Sequence, residues 1–408
     1  MTYNPLDYFE IRDDCLCIAD KTLNDHICSG ITLPAYIYSK EIIRKKIQLL
    51  RDTLPAAVRV HYSIKANPNL DLISFIKDYV DGLEVSSLAE MKIALSTGIA
   101  STNICLTGPG KSYEELEIAV KNNILISAES SLELYRLDEI GMDRMLKPSV
   151  LIRVNPTFTQ KRAGMKMASG SSQFGIDAEN IPDLFKWLND SCIDLHGFHV
   201  YSGSQILDAK AIIYSQNKAI ELINEFCTLC KNPIKTINLG GGFGIPYFPY
   251  HTPLDLEPIA KNLDNLIPSL KNNNFIKPIS PIIELGRFIV GESGIYLCKV
   301  VDKKTSRGKT FLITNGGMHH HLAASGNLGQ KNRKNFPVCI ANKINSPSKE
   351  TVNIVGKLCT PLDILADEVH ISMCEVGDLF AIFQSGAYAL SASPINFLSH
   401  PTPKEYLL

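Results

Sequence analysis

The sequence lacks a charge surplus of either sign. Lys and Arg total 41 and Asp and Glu 42, a net −1 over 408 residues. A nucleic-acid binder normally carries a marked basic excess, so no nucleic-acid partner is expected. The longest basic cluster, Arg44-Lys45-Lys46, falls in a helical pattern and reads as a solvated face. No apolar run approaches the roughly 20 residues that cross a bilayer. The opening stretch MTYNPLDYFEIRDDCLC has no basic start leading into an apolar core. Neither a membrane association nor a signal peptide is expected, and the chain reads as cytoplasmic. The 11 cysteines are odd in number and irregularly spaced, which fits reduced thiols better than a disulfide framework. Cys227-x-x-Cys230 has no second pair near it, and no metal site is expected.

What is present is an ordinary globular composition, 45% hydrophobic and 20% charged, arranged in a rhythm. Short β-rich runs begin near Val58, Gly82, Asn103, Ile124, Val150, Leu195, Thr236 and Pro281. Amphipathic stretches such as LDLISFIKDYV and YEELEIAVKNN lie between them, with apolar residues recurring at three and four. Such βα units, about eight within about 250 residues, match the count and size of a TIM barrel. An open doubly wound sheet is the competing arrangement, but eight units is long for one. Beyond Arg287 the runs GIYLCKVV, KTFLITN, VNIVG and ISMCEVGDLFAIFQSG follow one another with little helix. The expected fold is therefore α/β, a (β/α)8 barrel over residues 31–285. A second, all-β domain would comprise residues 286–408 joined by residues 1–30.

In VRVHYSIKA, Arg59, His61, Ser63 and Lys65 share one parity, which points Lys65 into the barrel at the C-terminal end of its strand. Barrel enzymes place their chemistry at that end. Burial lowers a lysine's pKa, and a neutral amine forms Schiff bases with carbonyls; an ion-paired structural lysine is the alternative. Ile237-Asn238-Leu239 opens into Gly240-Gly241-Gly242-Phe243-Gly244, a turn whose backbone N–H groups can approach a phosphate. The dinucleotide fingerprint fails here, because its third glycine falls on Ile245 or Tyr247. Gly110-Lys111-Ser112 ends like a Walker A loop, but Cys105 stands at the first glycine position. One phosphate is the better reading, with a plain tight bend as the alternative. Glu284 and Arg287 at the last strand suit a ligand with one cationic and one anionic end, or a mutual salt bridge.

Together the motifs HYSIKAN, GFHVYSGSQ, INLGGGFG, ELGR, GKLCTPLD and SGAYALS resemble the fold-type III pyridoxal-phosphate decarboxylases, the diaminopimelate and ornithine decarboxylase family. The resemblance implies an alanine racemase-like barrel and the cofactor pyridoxal 5'-phosphate. It implies that Lys65 holds the cofactor through a Schiff base and that Ser204, Gly240, Gly241, Gly242, Gly286, Arg287 and Tyr388 hold its phosphate. Glu284 would pair with the pyridine nitrogen, and Glu84, Arg153 and His199 would support the cofactor. Cys359 and Asp363 match a cysteine-acid motif that reaches the pocket from the second subunit of a homodimer, with Cys359 returning a proton. Racemases of this fold carry arginine where Glu284 stands, so Glu284 favours loss of CO2.

Several positions depart from the diaminopimelate pattern. Tyr201 replaces the histidine that stacks on the cofactor, and an aromatic ring still covers a pyridine face. Cys359-Thr360-Pro361-Leu362-Asp363 lacks the usual glutamate, and Leu285 replaces a proline. Met318-His319-His320-His321 replaces an arginine region. Adjacent strand residues face opposite ways, so the three histidines do not suit one metal ion; His319 and His320 read as substrate-binding. These features are closest to the butirosin-pathway subgroup, whose substrate is glutamate tethered to an acyl carrier protein. The expected activity is decarboxylation of an α-amino acid, free or tethered to an acyl carrier protein. Lys161, Arg162 and Lys166, or Lys331, Arg333 and Lys334, would face an acidic carrier. A free diamino acid held by Asp363 or Glu375 is the alternative. A racemase or a non-catalytic cofactor binder ranks below both.

Overall fold

The computed structural model describes residues 3–158, 165–166, 170–271, 275–276, 280–328, 330 and 333–408. It divides into two compact units. One comprises Lys46–Ile245 and Pro253–Gly286, the other Met1–Lys45, Pro246–Thr252 and Arg287–Leu408.

The first unit is the barrel. Its strands are Arg59–Ser63 (β1), Gly82–Val85 (β2), Ile104–Leu106 (β3), Leu125–Ala128 (β4), Ser149–Asn155 (β5), Asp194–His199 (β6), Thr236–Gly241 (β7) and Ile282–Leu285 (β8). Each pairs in parallel with the next, and β8 returns to β1 to close the ring. All eight lie in the eight β-rich runs of the sequence, so the expected α/β barrel is the observed one. Helices Leu70–Ile76 (α1), Leu88–Ser96 (α2), Tyr113–Lys121 (α3), Ser131–Arg144 (α4), Ile181–Leu188 (α5), Ala209–Cys227 (α6) and Glu257–Lys271 (α7) follow β1 to β7 in turn.

Local chemistry fixes where those helices begin. The side chains of Asn69, Ser87, Ser112, Ser130 and Asp208 accept from the backbone N–H of Leu72, Glu90, Glu115, Glu133 and Lys210. Each such cap stabilises its helix by about 1 kcal/mol. The caps follow the C-terminal strand ends closely, so they also set the loops that carry polar side chains at that rim. Register does the rest. Ser63, Glu84 and Cys105 lie side by side on β1, β2 and β3. Arg153, His199 and Asn238 do so on β5, β6 and β7, and His61 lies beside Glu284. Cys227 closes α6 with its thiol donating to Asn224 O at 3.3 Å.

The second unit is built on a sheet ordered Val338–Ile340, Leu379–Ile382, Gly294–Ser306, Lys309–Thr314, Lys349–Val355, Ile364–Ser372. Ala35–Tyr38 pairs antiparallel with Gly294–Ser306, and Lys404–Leu407 adds in parallel to it. Leu16, Ile37, Ile295, Leu297, Ala381 and Phe383 form part of its buried core. The strand Ala35–Tyr38 lies beyond the expected boundary at residue 31, on the β side. All four of its residues are buried, so it shows no alternation that would set it apart from a barrel strand.

Candidate active site

Lys65 stands just past β1. The strand stops at Ser63, and Ile64–Ala66 form a single 3-10 turn closed by Asn67 N–H donating to Ile64 O at 2.9 Å. Strand parity therefore does not aim Lys65; the turn does. Its Nζ lies 2.8 Å from Glu84 Oε1, and the lysine side chain is 36% exposed while Glu84 is fully buried. Ser86 and Thr107 hydroxyls donate to that same oxygen. Burial alone would raise the Glu84 carboxyl. The Lys65 charge and hydrogen bonds from Lys65, Ser63 and Thr107 outweigh it and hold the group down at about 2. Glu84 is thus a fixed anion, and Gly286 packs the end of β8 against the turn, where a Cβ would sit 2.6 Å from that of Ala66.

Glu284 behaves oppositely. Its Oε1 accepts from Asn238 Nδ2 at 2.6 Å and its Oε2 lies 3.5 Å from His199 Nε2. Burial first, and the charge of Glu84 second, push its carboxyl up to about 8. His199 is neutral, because burial and then the charge of Arg153 hold its pKa well below the usual imidazole range. Its Nδ1 lies 2.9 Å from Ser127 Oγ, and Nε2 is buried without a hydrogen-bond partner among the described residues. The barrel therefore holds two buried carboxyls in different protonation states, the pattern that marks functional pairs.

Tyr201 lies under both nearby cations. Lys65 Nζ and the Arg153 guanidinium are each 5.7 Å from its ring centre. Arg153 is anchored by Glu129 at 2.5 Å, and Glu129 also accepts from the backbone N–H of Gly108 and Gly175. In the glycine run, Gly240 has φ +64° and a Cβ there would lie 2.8 Å from Val200 O. At Gly241 a Cβ would meet Glu284 O at 1.7 Å, and at Gly242 Gly203 O at 2.1 Å. Nothing larger than glycine fits. Ser204 follows in a two-residue strand whose backbone pairs with Met165–Lys166.

Several participants went unnamed in the sequence. Thr107, Ser86, Ser127 and Glu129 lie at or just beyond the C-terminal strand ends, and Asn238 lies within β7. Asn238 shares the inward parity of β7 two residues before Gly240 and was within reach of the pattern. Lys111 was not. Its ammonium is buried, bonded to Gly108 O and Ser127 O at 2.7 Å each and to Glu133 Oε2 at 2.9 Å. It braces the β3 and β4 loops and so bears on Ser127 and His199.

In the β unit, the Arg287 guanidinium lies 4.6 Å from the Tyr388 ring centre and 5.4 Å from that of Tyr247, whose hydroxyl accepts from it. Tyr388 has φ +53°, a left-handed conformation rare for such a residue and often found at functional positions. Glu284 and Arg287 thus have separate partners. His319, His320 and His321 form a turn rather than a strand. Asp363 explains it: its carboxylate accepts from Met318 N–H at 2.6 Å and Leu358 N–H at 2.8 Å. That clasp ties the histidine turn to the loop of Cys359, which is exposed. Glu375 lies in the same unit, its backbone N–H bonded to Asp378. Of the basic residues considered for a carrier, Lys161, Arg162, Lys331 and the Lys166 side chain lie outside the described residues. Arg333 donates to Ile364 O, and Lys334 sits over the rings of Phe248 and Tyr250.

The family model for the pyridoxal-dependent decarboxylase, pyridoxal binding domain, matches residues 40–291. The chain belongs to the pyridoxal-dependent decarboxylases. This decarboxylase is 35% identical over 379 residues to the L-glutamyl-[BtrI acyl-carrier protein] decarboxylase of Niallia circulans, covering 92% of this chain and 88% of that one. It is 31% identical to the 2-[(L-alanin-3-ylcarbamoyl)methyl]-2-hydroxybutanedioate decarboxylase of Staphylococcus aureus, covering 90% and 92%. Its structure matches that of the M. jannaschii diaminopimelate decarboxylase in complex with L-lysine, with a TM-score of 0.90, 25% identity and coverage of 100% and 94%. It is a carboxy-lyase that uses pyridoxal phosphate. The barrel suits that cofactor on its own geometry. Glu284 is a buried carboxyl whose bonded partners are neutral, and a protonated ring nitrogen supplies the cation that restores it to carboxylate. Among the described residues no helix is long and apolar enough to cross a membrane.

Proposed function

We propose that this decarboxylase removes the α-carboxyl of an amino acid whose distal end is an acyl group, as in glutamate tethered to an acyl carrier protein. The observation that carries the reading is the disposition of acids. Glu84 and Glu284 are engaged in the barrel, and both oxygens of Asp363 are taken by backbone N–H groups. Asp363 is therefore not free to grip a distal ammonium, as a diamino acid would require. The first two relatives act, by name, on an amino acid acylated to a carrier and on one joined through an amide. The reading that favours a free diamino acid, such as diaminopimelate, ornithine or lysine, rests on similarity to the diaminopimelate enzyme.

Lys65 would hold the cofactor through its amine, with Glu284 at the ring nitrogen and Tyr201 covering the ring. Gly240, Gly241, Gly242, Ser204, Gly286, Arg287 and Tyr388 would take its phosphate. Bound pyridoxal phosphate supplies an electron sink for the pair that departing CO2 leaves at the α-carbon. The chain's own groups manage protons. Glu284 retains a proton on the ring nitrogen as an ion pair, and Glu84 keeps a negative charge 2.8 Å from the Lys65 amine. Arg153 lies against the Tyr201 ring, and Asn238, with His199 beside it, holds Glu284 in position. The exposed Cys359 thiol, contributed by the second subunit of a homodimer, would deliver a proton to the α-carbon. No disulfide links any cysteines among the described residues, which supports a reducing compartment such as the cytoplasm.

The test is CO2 release, followed by mass spectrometry, from free amino acids and from glutamyl-loaded carrier protein. Turnover of the loaded carrier well above that of free diamino acids is expected. Faster release from diaminopimelate, ornithine or lysine would reverse the assignment.

A further inference from the structure

The N-terminal mouth of the barrel, the end opposite Lys65, holds a cavity of about 350 Å³. Its rim includes Arg59 at the start of β1, Asn103 just before β3 and Lys235 just before β7. Its floor includes Leu125, Ile282 and His61, all buried. Strand β1 runs from Arg59 to Ser63, so this mouth stands about 13 Å from the strand end that carries Lys65. Side chains ordinarily fill a barrel interior. Gly82 of β2 offers none, and the His61 ring takes that space, its Cε1 2.6 Å from where a Cβ would stand.

His61 gives the floor a polar group with unused capacity. It is 2% exposed, and neither ring nitrogen has a hydrogen-bond partner among the described residues. Burial first, and the charge of Arg59 second, hold its pKa down at about 3, so the imidazole is neutral. A buried polar group left without a partner costs about 1–3 kcal/mol, and a polar occupant of the cavity offsets that cost.

Charge decides which occupant. Among the described residues no carboxylate lines the cavity. Lys235 is already balanced, its Nζ 2.7 and 2.6 Å from the two Asp194 oxygens, with His196 Nε2 3.1 Å from the second. Arg59 is not balanced in this way. It donates to Asp81 O at 3.2 Å and to Asn103 Oδ1 at 3.0 Å, both uncharged oxygens. The Asp81 carboxylate is engaged by Arg51 at 2.8 Å and by Val60 N–H at 2.7 Å. A guanidinium matches a carboxylate in shape and charge. One unbalanced cation suits a monoanion, whereas a phosphate dianion would bring surplus charge into a part-buried mouth.

We propose that the N-terminal mouth of the barrel is a second ligand site, which takes a small organic monocarboxylate with its carboxylate on Arg59 and its body against His61. The site lies within the barrel unit and is independent of the decarboxylation reading.

Holoenzyme carrying carbon-13 at the histidine Cε1 positions is titrated with 4-hydroxybutyrate, inorganic phosphate and methylammonium, the His61 signal being assigned by its loss in His61→Phe. That signal should move saturably with 4-hydroxybutyrate and stay still with the other two. In Arg59→Gln the same shift should need at least about tenfold more 4-hydroxybutyrate. A His61 signal that ignores 4-hydroxybutyrate, moves with methylammonium or moves with phosphate alone overturns the proposal. So does an unchanged affinity in folded Arg59→Gln. Where either variant fails to fold, crystals of the unsubstituted holoenzyme soaked in 4-hydroxybutyrate decide. Difference density on the Arg59 guanidinium supports the site, and a mouth without it overturns the proposal.

Discussion

Replacing Glu284 by Gln in the apoprotein should abolish a stability slope between pH 4.5 and 8. An acid whose folded value lies above its unfolded value binds its proton more tightly in the native state. Its contribution is fully present below the unfolded value and drains away as pH rises through the folded one. For Glu284 that window runs from 4.5 to about 8. At about 1.4 kcal/mol per pH unit, the loss comes to about 5 kcal/mol. Glu84, held down at about 2, acts in a separate window. Its contribution is present above 4.5 and lost as the pH falls toward 2. His61 and His199, both depressed by burial, add an opposite slope below pH 6.5 in both proteins and cancel in the difference. The glutamine fits: its oxygen can accept from Asn238 and its amide can donate to His199 Nε2. Urea denaturation of apoprotein and variant, followed by circular dichroism from pH 5 to 8, should show Glu284→Gln gaining several kcal/mol relative to the parent across that range. A difference that stays constant within about 1 kcal/mol would refute the assignment of a protonated Glu284.

Lys111→Met should destabilise the protein by about 3–5 kcal/mol, because Glu133 is left as a buried, uncompensated charge; adding Glu133→Leu should recover most of the loss in the same denaturation assay. Asp363→Asn removes one of two acceptors and turns an amide N–H toward a buried backbone N–H. It should cost about 1–3 kcal/mol in the same denaturation assay. Cys359→Ala should bind the cofactor with unchanged visible absorbance yet lose most CO2 release, and full activity in that variant would remove the thiol from the mechanism.

The barrel was legible because each strand is a short apolar run and five of the seven following helices open on a capping Ser, Asn or Asp. Glu84, His199 and Glu284 were legible by motif. Their opposite charge states were not, since these depend on neighbours far along the chain, such as Lys65 against Glu84 and Glu84 against Glu284. Lys65 was placed on its strand by parity, but the strand stops at Ser63 and a 3-10 turn over Ile64–Ala66 takes its place. The histidine run read as a strand because nothing local announces that Asp363, 45 residues from Met318, bends it into a turn. Lys111 looked like the end of a phosphate loop, and only its distant partner Glu133 shows it to be a brace. Ala35–Tyr38 hid its membership because a fully buried strand carries no polar side.

The proposed chemistry turns on the amine of Lys65 carrying the cofactor. Sodium borohydride reduction of the holoenzyme, followed by proteolysis and mass spectrometry, should find pyridoxyl phosphate fixed to the peptide containing Lys65 and, in Lys65→Ala, fixed to none. A reduced adduct on another lysine, or a coloured and active Lys65→Ala enzyme, would contradict it.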